Sequence, residues 1–312
     1  MQYQLGNTTI NTCMIGTWAW GTGSAGGKIV FGKKYDEQQL RDTFMTAYKA
    51  GFTFWDTAEV YGMGTAEKLL GSLIKDNPVI ISTKHFPNKK YKDGENRTAL
   101  TASLDRLRVK QADLYWLHSP KNIPENMKEL ASLQKEGLIK NIGLSNGDVS
   151  QISLAQKVLK ENGSSLSAIQ NHYSLLAMER EADVLEYCKK NNILFFGYML
   201  LEQGALSGHY DAGNHFPTLS MRGLSFGKGK FKKIQPLIDY IRQLAKKYNM
   251  DSAQVAVIWA ISKGIIPIVG LTKPKHAETL KSGIYKTFTY QELSELERLA
   301  LESGVKCKGS WE

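Results

Sequence analysis

Five apolar, strand-length runs in this 312-residue chain end in polar side chains. Asp56 follows Phe52-Thr-Phe-Trp, Lys84 follows Val79-Ile-Ile-Ser-Thr, and His118 follows Leu114-Tyr-Trp-Leu. Ser145-Asn146 follow Ile142-Gly-Leu, and Gln170-Asn171 follow Ser167-Ala-Ile. A charge at the end of a buried strand is costly unless a partner meets it. A carboxylate, an ammonium and an imidazole converging on one mouth would satisfy one another and leave a polar site suited to acid–base chemistry. Metal-dependent hydrolysis fits poorly, because His118 is the lone imidazole of the set and the chain has no HxH or HExxH.

Such a mouth requires parallel strands that end on one side. Apolar runs of strand length alternate here with amphipathic runs of helix length, the pattern of strands joined by crossover helices. Strands are expected at 13–17, 52–56, 79–84, 113–118, 141–145, 168–172, 194–198 and 266–269, eight in all. Helices are expected near 36–50, 65–76, 95–108, 125–136, 148–161, 179–191 and 252–263, with additional ones near 234–249 and 290–303. Asp36, Asp148 and Asp251 stand where N-caps belong; Gly51, Gly137 and Gly264 stand where helices stop before a strand. Nearly uninterrupted apolar strands such as Val79-Ile-Ile suit a sheet covered on both faces. These units predict an α/β protein, a (β/α)8 TIM barrel, with its chemistry at the C-terminal ends of the strands. The opening Tyr3-Gln-Leu-Gly6-Asn7-Thr-Thr-Ile reads as a β-hairpin plugging the barrel bottom. Residues 203–233, rich in Gly and Lys, read as a long irregular loop, and 1–312 as a single domain.

The run Asp56-Thr-Ala-Glu-Val-Tyr61-Gly-Met-Gly-Thr-Ala-Glu67-Lys-Leu-Leu-Gly71 sets a tyrosine five residues after the strand-end aspartate. Lys84 in Ile81-Ser-Thr-Lys-His, His118 in Leu114-Tyr-Trp-Leu-His-Ser-Pro, and Gly143-Leu-Ser145-Asn146 follow in order. Gln170-Asn171-His-Tyr173 and Pro267-Ile-Val-Gly270-Leu-Thr-Lys-Pro274 complete the set. With these motifs spread over nearly its whole length, the chain resembles the aldo-keto reductase superfamily, in its bacterial-type NADP-dependent branch. It is similar also to potassium-channel β subunits. The resemblance implies reversible, NADPH-dependent reduction of aldehydes and ketones to alcohols, with Tyr61 giving a proton to the developing alkoxide. A free phenol, with a pKa of about 10, is a poor donor at neutral pH. Lys84 is therefore expected to lower that value, Asp56 to hold Lys84, and His118 to donate to or orient the carbonyl oxygen.

The resemblance implies NADP(H) lying extended across the barrel mouth rather than on a Rossmann turn. It assigns Ser145, Asn146 and Gln170 to the carboxamide and Tyr198 to stacking on the nicotinamide. Gly16, Thr17, Trp18 and Asp56 join the cofactor set. The segment Met199-Leu200-Leu201-Glu-Gln203-Gly204-Ala-Leu206-Ser-Gly208 is expected along the pyrophosphate, with His209 as a further phosphate contact. Gly270-Leu271-Thr272-Lys273-Pro-Lys275-His276-Ala-Glu-Thr279 opens a helix, whose N-terminus and cations suit a phosphate monoester. Lys273 and His276, with Lys275, are expected to select NADP over NAD. Two departures from the family pattern remove contacts: Met199-Leu200 replaces a frequent Ser-Pro, and Thr279-Leu280 replaces a frequent Glu-Asn. Trp18, Trp20, Tyr61, Phe86 and His118 suggest an aromatic substrate cleft. Met63, Trp116 and the tail Gly309-Ser-Trp311 could add walls, although Trp116 could equally be barrel core.

Forty Lys and Arg against thirty Asp and Glu give a net charge of +10, in small groups such as Lys33-Lys34, Lys89-Lys90 and Lys230-Phe-Lys232-Lys233. No zinc spacing, helix-turn-helix or RNP pattern accompanies them, so solvated lysines and a small anionic ligand are expected rather than nucleic acid. No apolar run of about 20 residues occurs, and no membrane partner is expected. The start Met1-Gln-Tyr-Gln-Leu does not read as a secretory signal. Cys13, Cys188 and Cys307 are odd in number and far apart, which suits reduced thiols in the cytoplasm. The expected partner is a small carbonyl compound; oligomeric state stays open. The same residues fit a second reading, a cofactor-sensing interaction protein with slow turnover.

Overall fold

A computed structural model describes residues 2–23, 26, 27, 32 and 34–308; in it, β1 (Gln2–Leu5) and β2 (Thr8–Asn11) form an antiparallel hairpin about Gly6-Asn7. The chain then lays down β3 (Met14–Gly16), β4 (Phe54–Asp56), β5 (Ile80–His85) and β6 (Ala112–Leu117). It continues with β7 (Ile139–Ser145), β8 (Leu166–His172), β9 (Leu194–Tyr198) and β10 (Ile266–Gly270). These eight strands pair in parallel in sequence order, and β10 closes the barrel against β3.

Crossover helices cover the outside: α1 (Glu37–Lys49), α2 (Thr65–Ile74), α3 (Glu95–Leu107), α4 (Ile123–Lys135), α5 (Val149–Glu161) and α6 (Ala182–Lys190). Farther along come α7 (Met221–Ser225), α8 (Lys228–Lys233), α9 (Gln235–Lys247), α10 (Ser252–Ser262), α11 (Pro274–Gly283) and α12 (Tyr290–Glu302). The expected caps form. Asp36 accepts from the Gln39 amide, Asp251 from that of Ala253, and Asp148 completes a capping box with Gln151. Gly51, Gly137 and Gly264 take φ of +90°, +77° and +81°, the left-handed turn that ends a helix without a Cβ penalty.

The barrel is filled. Met14, Phe54, Leu114, Trp116, Ala168, Phe196 and Ile266 point inward, and Leu5 and Ile10 of the hairpin close the cluster from below. Trp116 is thus core, its ring edge-on to Phe196 at 5.6 Å. This packed floor leaves the strand ends above it to carry polar groups. The 203–233 stretch differs from expectation, because α7 and α8 fold within it. Phe231 meets Phe216 and Phe226 at ring distances of 5.3 and 4.8 Å, an apolar nucleus that orders both short helices. Among the described residues no helix is long and apolar enough to cross a membrane, and all three cysteines are unpaired. Lys33 and the tail Gly309, Ser310 and Trp311 lie outside the described residues.

Candidate active site

Asp56, the last residue of β4, stands opposite Ser82 of β5 in the parallel register. Side chains alternate along a strand, so Ser82 and Lys84 share the inward face. Lys84 reaches back to form an ion pair with the Asp56 carboxylate, and it donates to the Thr57 carbonyl at 2.8 Å. Its third direction is toward the Tyr61 hydroxyl, 3.3 Å away. Tyr61 comes from the turn after β4, where its amide bonds the Ala58 carbonyl at 3.1 Å. His118 follows β6 and is anchored by its amide to the His85 carbonyl at 2.9 Å. Its ring stands edge-on to Tyr61 at 6.1 Å and to Phe86 at 5.6 Å. The structure therefore brings Asp56, Tyr61, Lys84 and His118 together.

The electrostatics correct one expectation. The Tyr61 phenol lies well above the ordinary tyrosine value, driven first by burial and then by the charge on Asp56. Burial outweighs any lowering by the Lys84 ammonium 3.3 Å away. Burial in turn pulls Lys84 below its ordinary value, against the opposing effect of Asp56. Burial, with Lys84 and His85 adding to it, holds His118 well below the usual histidine range. The quartet thus keeps a protonated phenol beside a neutral imidazole.

These groups open on a cavity of about 600 Å³. Gly16, Trp18, Asp56, Tyr61, His118, Ser145, Gln170 and Tyr198 line its inner end. Met199, Leu200, Leu201, Gln203, Gly204 and His209 form one flank; Gly270, Leu271, Thr272, Lys273, His276 and Thr279 form the other. Ser145 donates to the Gln170 carbonyl at 2.8 Å, and Gln170 reaches Asp56 at 3.4 Å. His276 Nδ1 accepts from the Thr272 amide at 3.4 Å, leaving Nε2 as its donor. Burial and the neighbouring Lys273 hold His276 below the ordinary histidine value, which favours the neutral ring.

Several expected residues do not wall this cavity. Thr17 is enclosed, its hydroxyl donating to the Asp56 carbonyl at 3.0 Å. Trp20 is buried against Trp55 at 5.4 Å, with its indole nitrogen donating to Leu271. Leu206 is core. Asn146 spends its amide within the protein, donating to His118 O and accepting from the Tyr198 hydroxyl at 2.7 Å. Phe86 backs His118 instead of facing the cavity, and Met63 points to solvent at 71% exposure.

Ser82 and Arg222 were not singled out by sequence. The Trp116 indole donates to Ser82 Oγ at 2.5 Å, and that hydroxyl donates to Asp56 at 2.7 Å, a chain that orients the carboxylate from below. The inward alternation of Ser82 with Lys84 was the available signal. Arg222 lines the cavity, donates to the Gln203 carbonyl at 3.3 Å and stacks on Phe216 at 4.5 Å. Nothing in the local sequence marks it.

A family model described as "Aldo/keto reductase family" matches residues 13–300. The chain is 30% identical to the chloroplastic pyridoxal reductase of Arabidopsis thaliana, spanning 96% of this chain and 86% of that protein. The structure of a glycerol dehydrogenase from Gluconobacter oxydans superposes with a TM-score of 0.83 at 26% identity, covering 99% of this chain and 98% of that one. An aldo-keto reductase from Klebsiella pneumoniae, solved in complex with NADPH, shares the fold with a TM-score of 0.72 at 22% identity, over 94% and 92% of the two chains. With the family model matched from Cys13 to Ala300 and a relative aligned over nearly its full length, the chain belongs to the aldo/keto reductase family of NAD(P)-dependent oxidoreductases that act on carbonyl groups.

Proposed function

We propose that this protein reduces aldehydes or ketones reversibly to alcohols with NADPH, and that Tyr61 is the proton donor. The observation that carries this reading is Lys84: fully buried, paired with Asp56, and 3.3 Å from a phenol on the cavity wall. The cavity suits the nucleotide in its donor set. Its inner end offers the Tyr198 ring with Ser145 and Gln170, its flank the Met199–Gly204 backbone and Arg222. Its far end is the first turn of α11 with Lys273 and His276, a cationic helix N-terminus suited to the 2′-phosphate. NADPH held there would supply the hydride for the carbonyl carbon.

The chain's own residues manage the proton. Burial keeps Tyr61 protonated until negative charge develops on the substrate oxygen, and the phenol then gives its proton to that oxygen. Lys84 stabilises the phenolate left behind, and Asp56 and Thr57 fix the ammonium in place for that task. Neutral His118 orients the carbonyl oxygen from the other side. Residues 1–312 act as one barrel unit on a small carbonyl compound, in the cytoplasm, where three unpaired cysteines stay reduced. Purified protein should quench and shift NADPH fluorescence and consume NADPH on addition of a nitrobenzaldehyde. Cofactor binding without turnover on any of a panel of small aldehydes and ketones would count against the enzyme reading.

A further inference from the structure

The flank of the cavity has an unusual backbone. Met199, Glu202 and Gln203 have φ of +58°, +47° and +55°, and Gly204 has +107°. Non-glycine residues in the left-handed region are disfavoured, so three within five positions require outside support. Within the segment, tight turns provide some: Glu202 N bonds Met199 O, and Gly204 N bonds Leu201 O, each at 2.8 Å. The rest comes from one side chain. While its neighbours line the cavity, Glu202 is buried at 5% exposure beneath them.

The Glu202 carboxylate is met from several directions. His172 Nε2, at the end of β8, lies 2.7 Å from it, and the Ser174 hydroxyl donates to the same oxygen. The Cys307 thiol also bonds this carboxylate, bringing the C-terminal region under the segment. Arg180 settles the histidine tautomer: its Nη2 sits 3.4 Å from His172 Nδ1, and a guanidinium can only donate. Nδ1 therefore accepts, and Nε2 carries the hydrogen that it donates to Glu202. Arg180 is itself held by Glu181 at 3.0 Å, and Glu181 accepts from Asn171 at 2.8 Å.

We propose that Glu202 is a positioning residue for the nicotinamide nucleotide: its buried bonds to His172 and Ser174 pin the left-handed turns of the Met199–Gly204 segment that lines the cavity. This rests on the NADPH reading above. Glu202 does not itself touch the nucleotide; it presets the backbone that does, so the ordering cost is met before binding rather than during it.

The test is the NADPH dissociation constant, read by fluorescence quenching, for wild type, Glu202→Gln, Glu202→Ala and Glu202→Gly. Glutamine keeps an acceptor for His172 and Ser174, so E202Q should stay within about threefold of wild type. E202A should weaken binding by about tenfold or more, while kcat at saturating NADPH changes little. E202G should bind more tightly than E202A by about fivefold, because glycine adopts the left-handed backbone without penalty. Wild-type affinity in E202A would overturn the proposal, as would E202G and E202A binding equally. Should circular dichroism show that E202A is unfolded, Ser174→Ala removes a single donor and should weaken binding about threefold; an unchanged constant there would contradict the role. A wild-type protein that fails to quench NADPH overturns the nucleotide reading together with this one.

Discussion

Asp56 and Lys84 pair across adjacent parallel strands with an offset of one alternation: Asp56 stands opposite Ser82, and Lys84, two residues farther along β5, turns back to meet it. Both are almost completely enclosed. The offset aims the ammonium at the Tyr61 hydroxyl, while Ser82 supports the carboxylate from beneath. A surface pair would have little effect on either chemistry or stability. A buried one binds the two together.

Lys84→Met should therefore cost stability as well as activity. Removing one partner leaves a buried, uncompensated carboxylate, typically about 3–5 kcal/mol. Urea denaturation should show a loss in that range for K84M, with much of it recovered in the Asp56→Asn/Lys84→Met double variant. Equal losses in the single and double variants would mean that the pair is not coupled.

Lys273 and His276 should read the 2′-phosphate. Replacing both with Ala should weaken NADPH binding by about 1–3 kcal/mol and leave NADH nearly unchanged. The NADPH preference of wild type should shrink as salt is raised, since a charge–phosphate contact is screened. Equal losses for both cofactors would assign these residues to the fold.

The barrel was legible because its strands and helices have different periods, and because the strand-end polar residues interrupt otherwise apolar runs. Asp56, Lys84 and His118 could be found that way. What the sequence concealed depends on packing between distant segments. Trp20 looks like a cleft aromatic, yet Trp55 and the Leu271 carbonyl draw it into the wall. Asn146 looks like a free amide, yet Tyr198 lies 52 positions on and claims its oxygen. The direction of the Tyr61 shift was hidden for the same reason: residue types indicate a lysine nearby, but burial and the charge on Asp56 outweigh it.

Glu292 should govern part of the acid stability. It accepts from Lys247 and the Tyr248 hydroxyl at 2.7 Å each, and from the Thr289 amide at 2.8 Å, joining α9 to α12. Burial raises its pKa, but these bonds outweigh burial and bring it to about 2, from an ordinary 4.5. A carboxyl lowered on folding stabilises the native state above its unfolded pKa, and that contribution is lost as pH falls toward the folded value. Glu292→Gln should thus cost about 1–3 kcal/mol at neutral pH. The gap from wild type should close as denaturation curves are taken from about pH 5 down to about pH 2. A gap independent of pH would assign the effect to packing.

The neutral state of His118 has a kinetic consequence. Burial, Lys84 and His85 keep it well below the usual histidine range, so carbonyl reduction should show no imidazole ionisation between about pH 5.5 and about pH 7.5. An acid limb near pH 6.5 that disappears in His118→Gln would show instead that His118 titrates in that range.

The central claim is that Tyr61 supplies the proton, and Tyr61→Phe tests it with the loss of one hydroxyl. NADPH affinity, measured by fluorescence quenching, should be unchanged in Y61F, and its thermal unfolding should stay close to that of wild type. Reduction of a nitrobenzaldehyde should fall by about 10²–10⁴, the contribution of a positioned general acid. Turnover near the wild-type rate in a folded, NADPH-binding Y61F protein would contradict the account and move the proton to His118 or a bound water.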